Sequence, residues 1–539
     1  MPHDARRLLL VLFVVSLNHV VANSTRSLGP SHEHPRRLVH HIPVPSVNSS
    51  SEVTGSVSKQ AAASAQGVDR IAHGLNLKVP SRVSKLVSGP LPAIKTDSPD
   101  QFRSKLRLPH FAKPSHYELH FRPNLVSYTF SGVVAVNVTV ITPTRFLVLN
   151  VVELMVDPAS IKFKCLVPTE VVFFKDDEIM VIGFQKELPI GDGVLRMHFN
   201  GTLNDETRGF FKSVKYKGKI ANMAATNFRP VDARRCFPCW DEPAFKAKFK
   251  ITLEVPSELV ALSNMPVSSE IVVGPIKIVE FEESPLMSTY LVAMVVGIFE
   301  FVEHVTSHGT RVRVYIEVGK SEQGKFALDV GVKSLDFYND YFGTPYALSK
   351  LDMIGISNFS WKGMENYGLV TFEIQDLLFN QISSTSTKQH QMAYQAVDSI
   401  FPQWNILMEF LDSTISTLKL DSITGSHSIE DEIHHTNEII EIFDDINYIK
   451  GASILHMLQS YLGAERFQVS NFHTIFVDRS HSIMLLKNQC EEKTGEPLKD
   501  FMTSWTKQRG YPIIYVKQKG KGIQLEQPIA DPRVHACMH

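Results

Sequence analysis

Cysteine is scarce in this chain, with five in 539 residues: Cys165, Cys236, Cys239, Cys490 and Cys537. That excludes a disulfide-stapled scaffold, and the odd number leaves at least one thiol unpaired within the chain. Neither sign of charge is in excess. Lys and Arg number 55 against 56 Asp and Glu, for a net charge of −1 and a pI near 7.1. Such a balance carries no electrostatic footprint for nucleic acid or an anionic membrane surface. Long apolar runs are missing too. The best candidate, Leu8 to Leu17, is about half of the ~20 residues that a helix needs to cross a bilayer core. Asn18-His19 stand where such a span would have to continue.

What is present is an ordinary globular composition, 43% hydrophobic and 21% charged, with length for two to four domains. Arg6-Arg7 precede the apolar run, and Val20-Val21-Ala22 follow it. This is the layout of a secretory signal over residues 1–22, and export to the extracellular space is the expectation. The alternative is an uncleaved anchor holding the protein at the cell surface. Five Asn-x-Ser/Thr triplets, at Asn23, Asn48, Asn137, Asn200 and Asn358, suit an exported glycoprotein. Residues 23–105 are rich in Ser and Pro without sustained periodicity and read as a stalk or linker. His32-Glu33-His34 and His40-His41 within it read as solvated side chains.

From Leu108 onward the pattern is that of strands. Tyr117 to Phe121 alternates, Val134 to Ile141 is β-branched, and short apolar runs follow at Phe146–Val152, Glu178–Phe184 and Val194–Phe199. A β-rich domain over 106–302 is expected. A second domain over 303–510 opens with the strand-like Val312–Ile316 and turns helical around Lys325–Tyr341. After the turn at Gly343–Tyr346 it returns to a strand at Lys350–Ile354.

That strand leads to Trp361-Lys362-Gly363-Met364-Glu365-Asn366-Tyr367-Gly368, continued by Leu369–Glu373. The run resembles the exopeptidase signature of the gluzincin zinc aminopeptidases, the aminopeptidase N type. Pro114–Leu119, Asp232 to Phe249, Asp421 to Leu458 and Phe501 to Pro512 resemble further segments of the same family, so the likeness covers about 106–527. It implies a multidomain α+β chain. A β-rich, saddle-like N-terminal domain would precede a truncated, thermolysin-like, mainly helical catalytic domain. Residues 511–539 would hold the start of a β-domain, with a hairpin at Ile513–Leu525, and an unrelated tail. The implied reaction is zinc-dependent removal of N-terminal amino acids from peptides with a free N-terminus.

The resemblance also assigns residues. Gly363, Met364, Glu365 and Asn366 would edge the substrate cleft, with Glu365 gripping the peptide's α-amino group. Tyr448 matches the tyrosine that stabilises the tetrahedral oxyanion. Two positions depart from the pattern. Arg229, in Thr226-Asn227-Phe228-Arg229, replaces an acid or amide that faces the substrate amine. At an effective dielectric near 20, two like charges ~4 Å apart repel by about 4 kcal/mol; the alternatives are a guanidinium turned out to solvent or paired with Glu365. Lys362 stands where the family has Gly. Cys236-Phe237-Pro238-Cys239 has redox-like spacing but falls within the family's Phe-Pro-Cys run, where its role is structural.

The largest departure is an absence. Family members hold zinc with His-Glu-x-x-His on one helix and a Glu roughly eighteen residues later. No His-Glu-x-x-His occurs in the 539 residues. The metal segment is expected to have been cut out in frame near Tyr394–Gln395, and no cofactor is expected here. Met392, Ala396, Ile400, Trp404 and Met408 recur every four residues, which permits one fused helix across that junction. Three readings follow: an inactive relative of the aminopeptidases, a peptide- or receptor-binding module, or an active aminopeptidase with non-standard metal ligands. Loss of core helices also predicts a resistant fragment ending near residue 300, with cleavage concentrated between Gln381 and Asn437.

Overall fold

The computed structural model describes residues 97–213, 223–342, 345–357, 359 and 363–378. Beyond these it describes 406–423, 426–431, 438–441, 444–462, 505–511, 515–519 and 522–526. The signal segment 1–22, nearly all of the 23–105 stalk, Asn358, Lys362, and the junction at Tyr394–Gln395 lie outside the described residues.

The β-rich part is built on strands whose side chains alternate as the sequence does. β1 (Ala112–Asn124) buries Tyr117, Leu119 and Phe121 and turns Glu118 outward. It pairs antiparallel with β2 (Thr129–Val140) and, further down the chain, parallel with Lys248–Pro256. These strands lie within an eight-stranded sheet with Gly191–Thr202 beside β2 and the Val267–Val273/Ile276–Phe281 hairpin at one end. Its inner face is aromatic: Tyr117 stacks on Phe249 with ring centroids 5.0 Å apart, and Phe121 meets Phe199 edge-on. Fully burying each such side chain contributes roughly 1.5–3 kcal/mol. Phe146–Asn150, Glu170–Phe174 and Ile179–Gly183 form a three-stranded sheet.

The Asp232-to-Phe249 run resembling the family forms a polar knot under these sheets. Arg234, 3% exposed, pairs with Asp241 at 3.0 Å and Glu178 at 2.7 Å, and Asp241 also accepts from the Thr289 hydroxyl. Arg208 and Arg235 share Asp232. Cys236 and Cys239 are free and fully buried beside it, and burial pushes both thiols well above the usual range. A redox pair needs the reverse, an accessible thiol of lowered pKa, so the structure favours the structural role.

A four-stranded sheet connects the β-domain to the next part. Its order is β12 (Val260–Ser263), β15 (Met294–Gly297), β10 (Met223–Asn227) and β9 (Gly209–Ser213). Counted in chain order, β3–β8, β11, β13 and β14 are the strands given above and the two-residue strands Met155–Val156 and Lys162–Phe163.

The following sheet has five strands: β16 (Glu300–Val305), β17 (Arg311–Ile316), β18 (Lys350–Ile356), β20 (Leu369–Glu373) and β19 (Gly363–Met364), in that spatial order. β17, β18 and β20 run parallel. β17 and β18 need a crossover, which the helix Ser321–Phe342 supplies, and that helix packs on β16 and β17. The boundary drawn at 302/303 falls inside β16, which pairs with β17 along its length. Further on come the helix Ile406–Asp421, a short helix Glu438–Glu441, a π-helix Ile446–Lys450 and the helix Gly451–Leu462; the π-helix packs on the first and runs directly into the last. The first of these contains Met408, the last position of the proposed fused helix; the other four lie outside the described residues. Tyr515–Lys519 and Gly522–Glu526 pair as the expected hairpin.

Candidate functional site

The signature run folds as a tight hairpin on the edge of the five-stranded sheet. Gly363 pairs with Phe372 and Met364 with Thr371, antiparallel. The Asn366 side chain, 1% exposed, closes the loop by donating to the carbonyls of Leu369 (3.2 Å) and Met364 (3.4 Å). Gly363 and Met364 are buried, whereas Glu365 and Tyr367 are half-buried, so the glutamate stands at the rim of this hairpin.

The far side of the hairpin is held by the β-domain. Asn264, immediately after β12, donates to the Tyr367 carbonyl (2.8 Å) and the Leu291 carbonyl (2.7 Å) and accepts from the Ala293 amide (2.9 Å). Lys350, at the start of β18, donates to the carbonyls of Ser263 and Gly368, both at 2.8 Å, and to the Asp352 carboxylate at 2.7 Å. Burial lowers the Lys350 pKa, against the opposing pull of Asp352. Gly368 lies at φ +68°, and a Cβ there would sit 2.1 Å from the Asn264 carbonyl oxygen. Only glycine fits that approach.

Arg229 follows β10, two strands across the same four-stranded sheet. Thr226 on β10 accepts from the Met294 amide (2.8 Å) and donates to its carbonyl, and Met294 is opposite Ser263. Asn264, which holds the hairpin, and Arg229 thus follow two strands of the same four-stranded sheet. Arg229 is 7% exposed and its guanidinium stays within the protein rather than swinging out to solvent. At the other edge, β9 also meets the five-stranded sheet, through Ser213 donating to Ser357 (2.8 Å) and Phe211 stacking on Phe359.

Tyr448 lies in the π-helix and is half-buried, with its amide on the Asp444 carbonyl at 3.0 Å. One turn inward, Lys450 is buried against Asp421 (2.8 Å) and donates to the carbonyls of Gln508 and Gly510. His427 bridges the Ser428 carbonyl and the Asp444 carboxylate, each at 2.8 Å. The structure thus brings Gly363, Met364, Glu365 and Asn366 together in one hairpin and places Tyr448 in the π-helix. Sequence reasoning missed Lys350 and Asn264 as supports. The 103-residue separation of Asn264 from Tyr367 leaves no local signal.

These features define a class: a β-domain joined to a mixed five-stranded sheet, with the signature hairpin at that sheet's edge. Comparison with known proteins makes this specific. The Peptidase M1 N-terminal domain profile matches residues 113–291. The Peptidase family M1 domain profile matches 326–394 and 389–505, as two stretches that overlap at 389–394. The chain is 57% identical over 480 residues to aminopeptidase M1-C of Oryza sativa subsp. japonica, covering 82% of this chain and 54% of that protein. It is 48% identical over 475 residues to aminopeptidase M1 of Arabidopsis thaliana (79% and 54%). Identity to the puromycin-sensitive aminopeptidase of Caenorhabditis elegans is 35% over 471 residues (77% and 49%). The chain belongs to peptidase family M1, of the aminopeptidase N type. It spans about half the length of the curated relatives it matches.

Zinc is the metal of this family. Among the described residues no group of three or more His, Cys, Asp or Glu could hold a metal ion. The two acceptors on His427 leave neither ring nitrogen with a lone pair for a metal. The donors of the described residues do not fit the ion. Moreover, an alignment of 480 positions that uses 82% of 539 residues leaves roughly 40 positions without a residue of this chain.

Proposed function

We propose that this chain is a catalytically silent member of family M1 that keeps the rim recognising a peptide's amino terminus and lacks the centre that activates water. The observation carrying this is the absence of His-Glu-x-x-His from the sequence, beside a family match that falls into two stretches overlapping at 389–394. In zinc peptidases the metal lowers the pKa of bound water from ~15.7 towards 7 and polarises the carbonyl. Glu365 and Tyr448 position a substrate and an oxyanion; neither makes a nucleophile. Its origin would be an in-frame loss near Tyr394–Gln395, where the two family stretches meet, and the chain would then be an alternative product of an active enzyme's gene. The purified chain should not hydrolyse alanyl- or leucyl-arylamides, with or without added zinc, and should carry no stoichiometric metal. Chelator-sensitive turnover, once contaminating peptidase is excluded, overturns this and restores the reading with non-standard ligands.

The binding-module reading is favoured by one observation, the intact hairpin with Glu365 at its rim. Its partner would be a peptide with a free N-terminus. Calorimetry should then show binding without turnover, lost on N-acetylation of the peptide. For location, we propose secretion with loss of residues 1–22. Asn137 and Asn200, exposed on strands of the eight-stranded sheet, would be the glycan acceptors. N-terminal sequencing of protein from a secretory host tests it, and a membrane-embedded product beginning at Met1 supports the anchored alternative.

A further inference from the structure

Lys350 and Asn264 do more than fill the core. An ammonium has three N–H bonds to place, and burying it without partners costs several kcal/mol. Lys350 meets three acceptors, and they belong to three different segments: Ser263 at the end of β12, Asp352 on its own strand, and Gly368 in the signature turn. Asn264, the next residue after Ser263, uses its side-chain amide in the same way, joining Leu291 and Ala293 of the β-domain to Tyr367. Two consecutive residues of the signature turn are thus tied to two consecutive β-domain residues, Tyr367 directly to Asn264 and Gly368 to Ser263 through the Lys350 ammonium. Gly368 carries no side chain to hold them apart. On the opposite strand of the turn, Asn366 ties the loop to itself. Glu365 lies between these anchors, and each anchor named here comes from residues 263–369.

We propose that Lys350 and Asn264 are positioning residues for the amine-recognising hairpin, clamping the Tyr367–Gly368 turn to the β-domain and so fixing Glu365. The hairpin's geometry is then set by the β-domain and not by the zinc-bearing helices, so it survives their loss. This rests on the reading of Glu365 as the residue that meets the peptide amine.

The test uses the full chain and three variants. Lys350→Met removes the clamp, and Lys350→Met/Asp352→Asn removes it without leaving a buried carboxylate alone. Asn264→Ala removes the second grip. Backbone amide exchange is followed at 363–369, with the amides of β1, β2 and β8 as internal reference. Loss of buried, charge-assisted hydrogen bonds should accelerate exchange at 363–369 by about tenfold or more while the reference strands hold. Affinity for a free-amine tetra-alanine and for its N-acetylated form is measured in parallel. The preference for the free amine should fall in every variant, whereas a merely structural role would weaken both peptides alike. If a single variant loses protection in the reference strands as well, the double variant decides. Unchanged exchange at 363–369 in the double variant and in Asn264→Ala overturns the clamp. Faster exchange with no free-amine preference in the parent chain keeps the clamp and overturns the reading of Glu365.

Discussion

Gly368 is held at φ +68°, with the Asn264 carbonyl oxygen 2.1 Å from where a Cβ would be. Alanine there meets both a left-handed backbone and a fixed main-chain atom. Gly368→Ala should therefore cost about 1–3 kcal/mol, read as a lower urea midpoint with an unchanged slope. Aspartate in place of Asn366 tests the hairpin from within: a carboxylate cannot donate to Met364 and Leu369, so the loop should open and the midpoint fall again. Arg229 tests the reading of the rim. It is buried after β10, at a position where the family resemblance implies an acid or amide. If its cation opposes a peptide ammonium, Arg229→Gln should tighten free-amine binding about tenfold or more and leave N-acetylated peptide unaffected. Equal effects on the two peptides would place the guanidinium away from the amine.

His427 belongs to the helical element around Tyr448. Burial works against its charged form, but hydrogen bonds to the Ser428 carbonyl and the Asp444 carboxylate outweigh it and raise the pKa above the usual 6.5. Both partners are acceptors, so both ring nitrogens must donate, which only the imidazolium does. A raised folded-state pKa means the contribution is complete below 6.5 and lost as pH rises through the folded value. Protection of the 444–450 amides, corrected for intrinsic exchange, should fall over that rise in pH, and His427→Gln should flatten the change. Elements of this kind were partly legible in the sequence. Alternation at Tyr117–Phe121 and the β-branched run at Val134–Ile141 announced β1 and β2, because one face of each is buried. The run Met364-Glu365-Asn366 marked the signature loop but not its pairing with Thr371 and Phe372 as a hairpin. The parallel pairing of β1 with the strand at Lys248–Pro256 was not legible, since no local pattern encodes a partner more than a hundred residues away. Nor were Ser263 and Asn264, whose work lies in one carbonyl and one side-chain amide. The π-helix at Tyr448 follows from packing, with Lys450 turned onto Asp421, Gln508 and Gly510.

At the scale of the molecule, the division of stability falls elsewhere than the domain lengths suggest. Counting lost helices predicts a resistant fragment ending near residue 300. In the structure the core of the β-domain does not stop there. Ile354, Ile356, Phe359, Met364 and Leu369 pack in the same buried cluster as Phe211, Trp240 and Val295. A second cluster, between the five-stranded sheet and the helix Ser321–Phe342, runs on through Ile374 and Leu377 to Leu378. Cutting the chain near 300 would separate β16 from β15 but would leave β16–β20 attached, through Lys350, Asn264 and the Ser213–Ser357 bond. Proteases act on segments that open locally, and strands with buried faces and paired backbones open least. Limited proteolysis should therefore leave a fragment that extends at least to Leu378, identified by intact mass. A dominant fragment ending near 300, with residues 311–373 released, would show that the two sheets part before either unfolds, and that the β-domain alone is the stable unit.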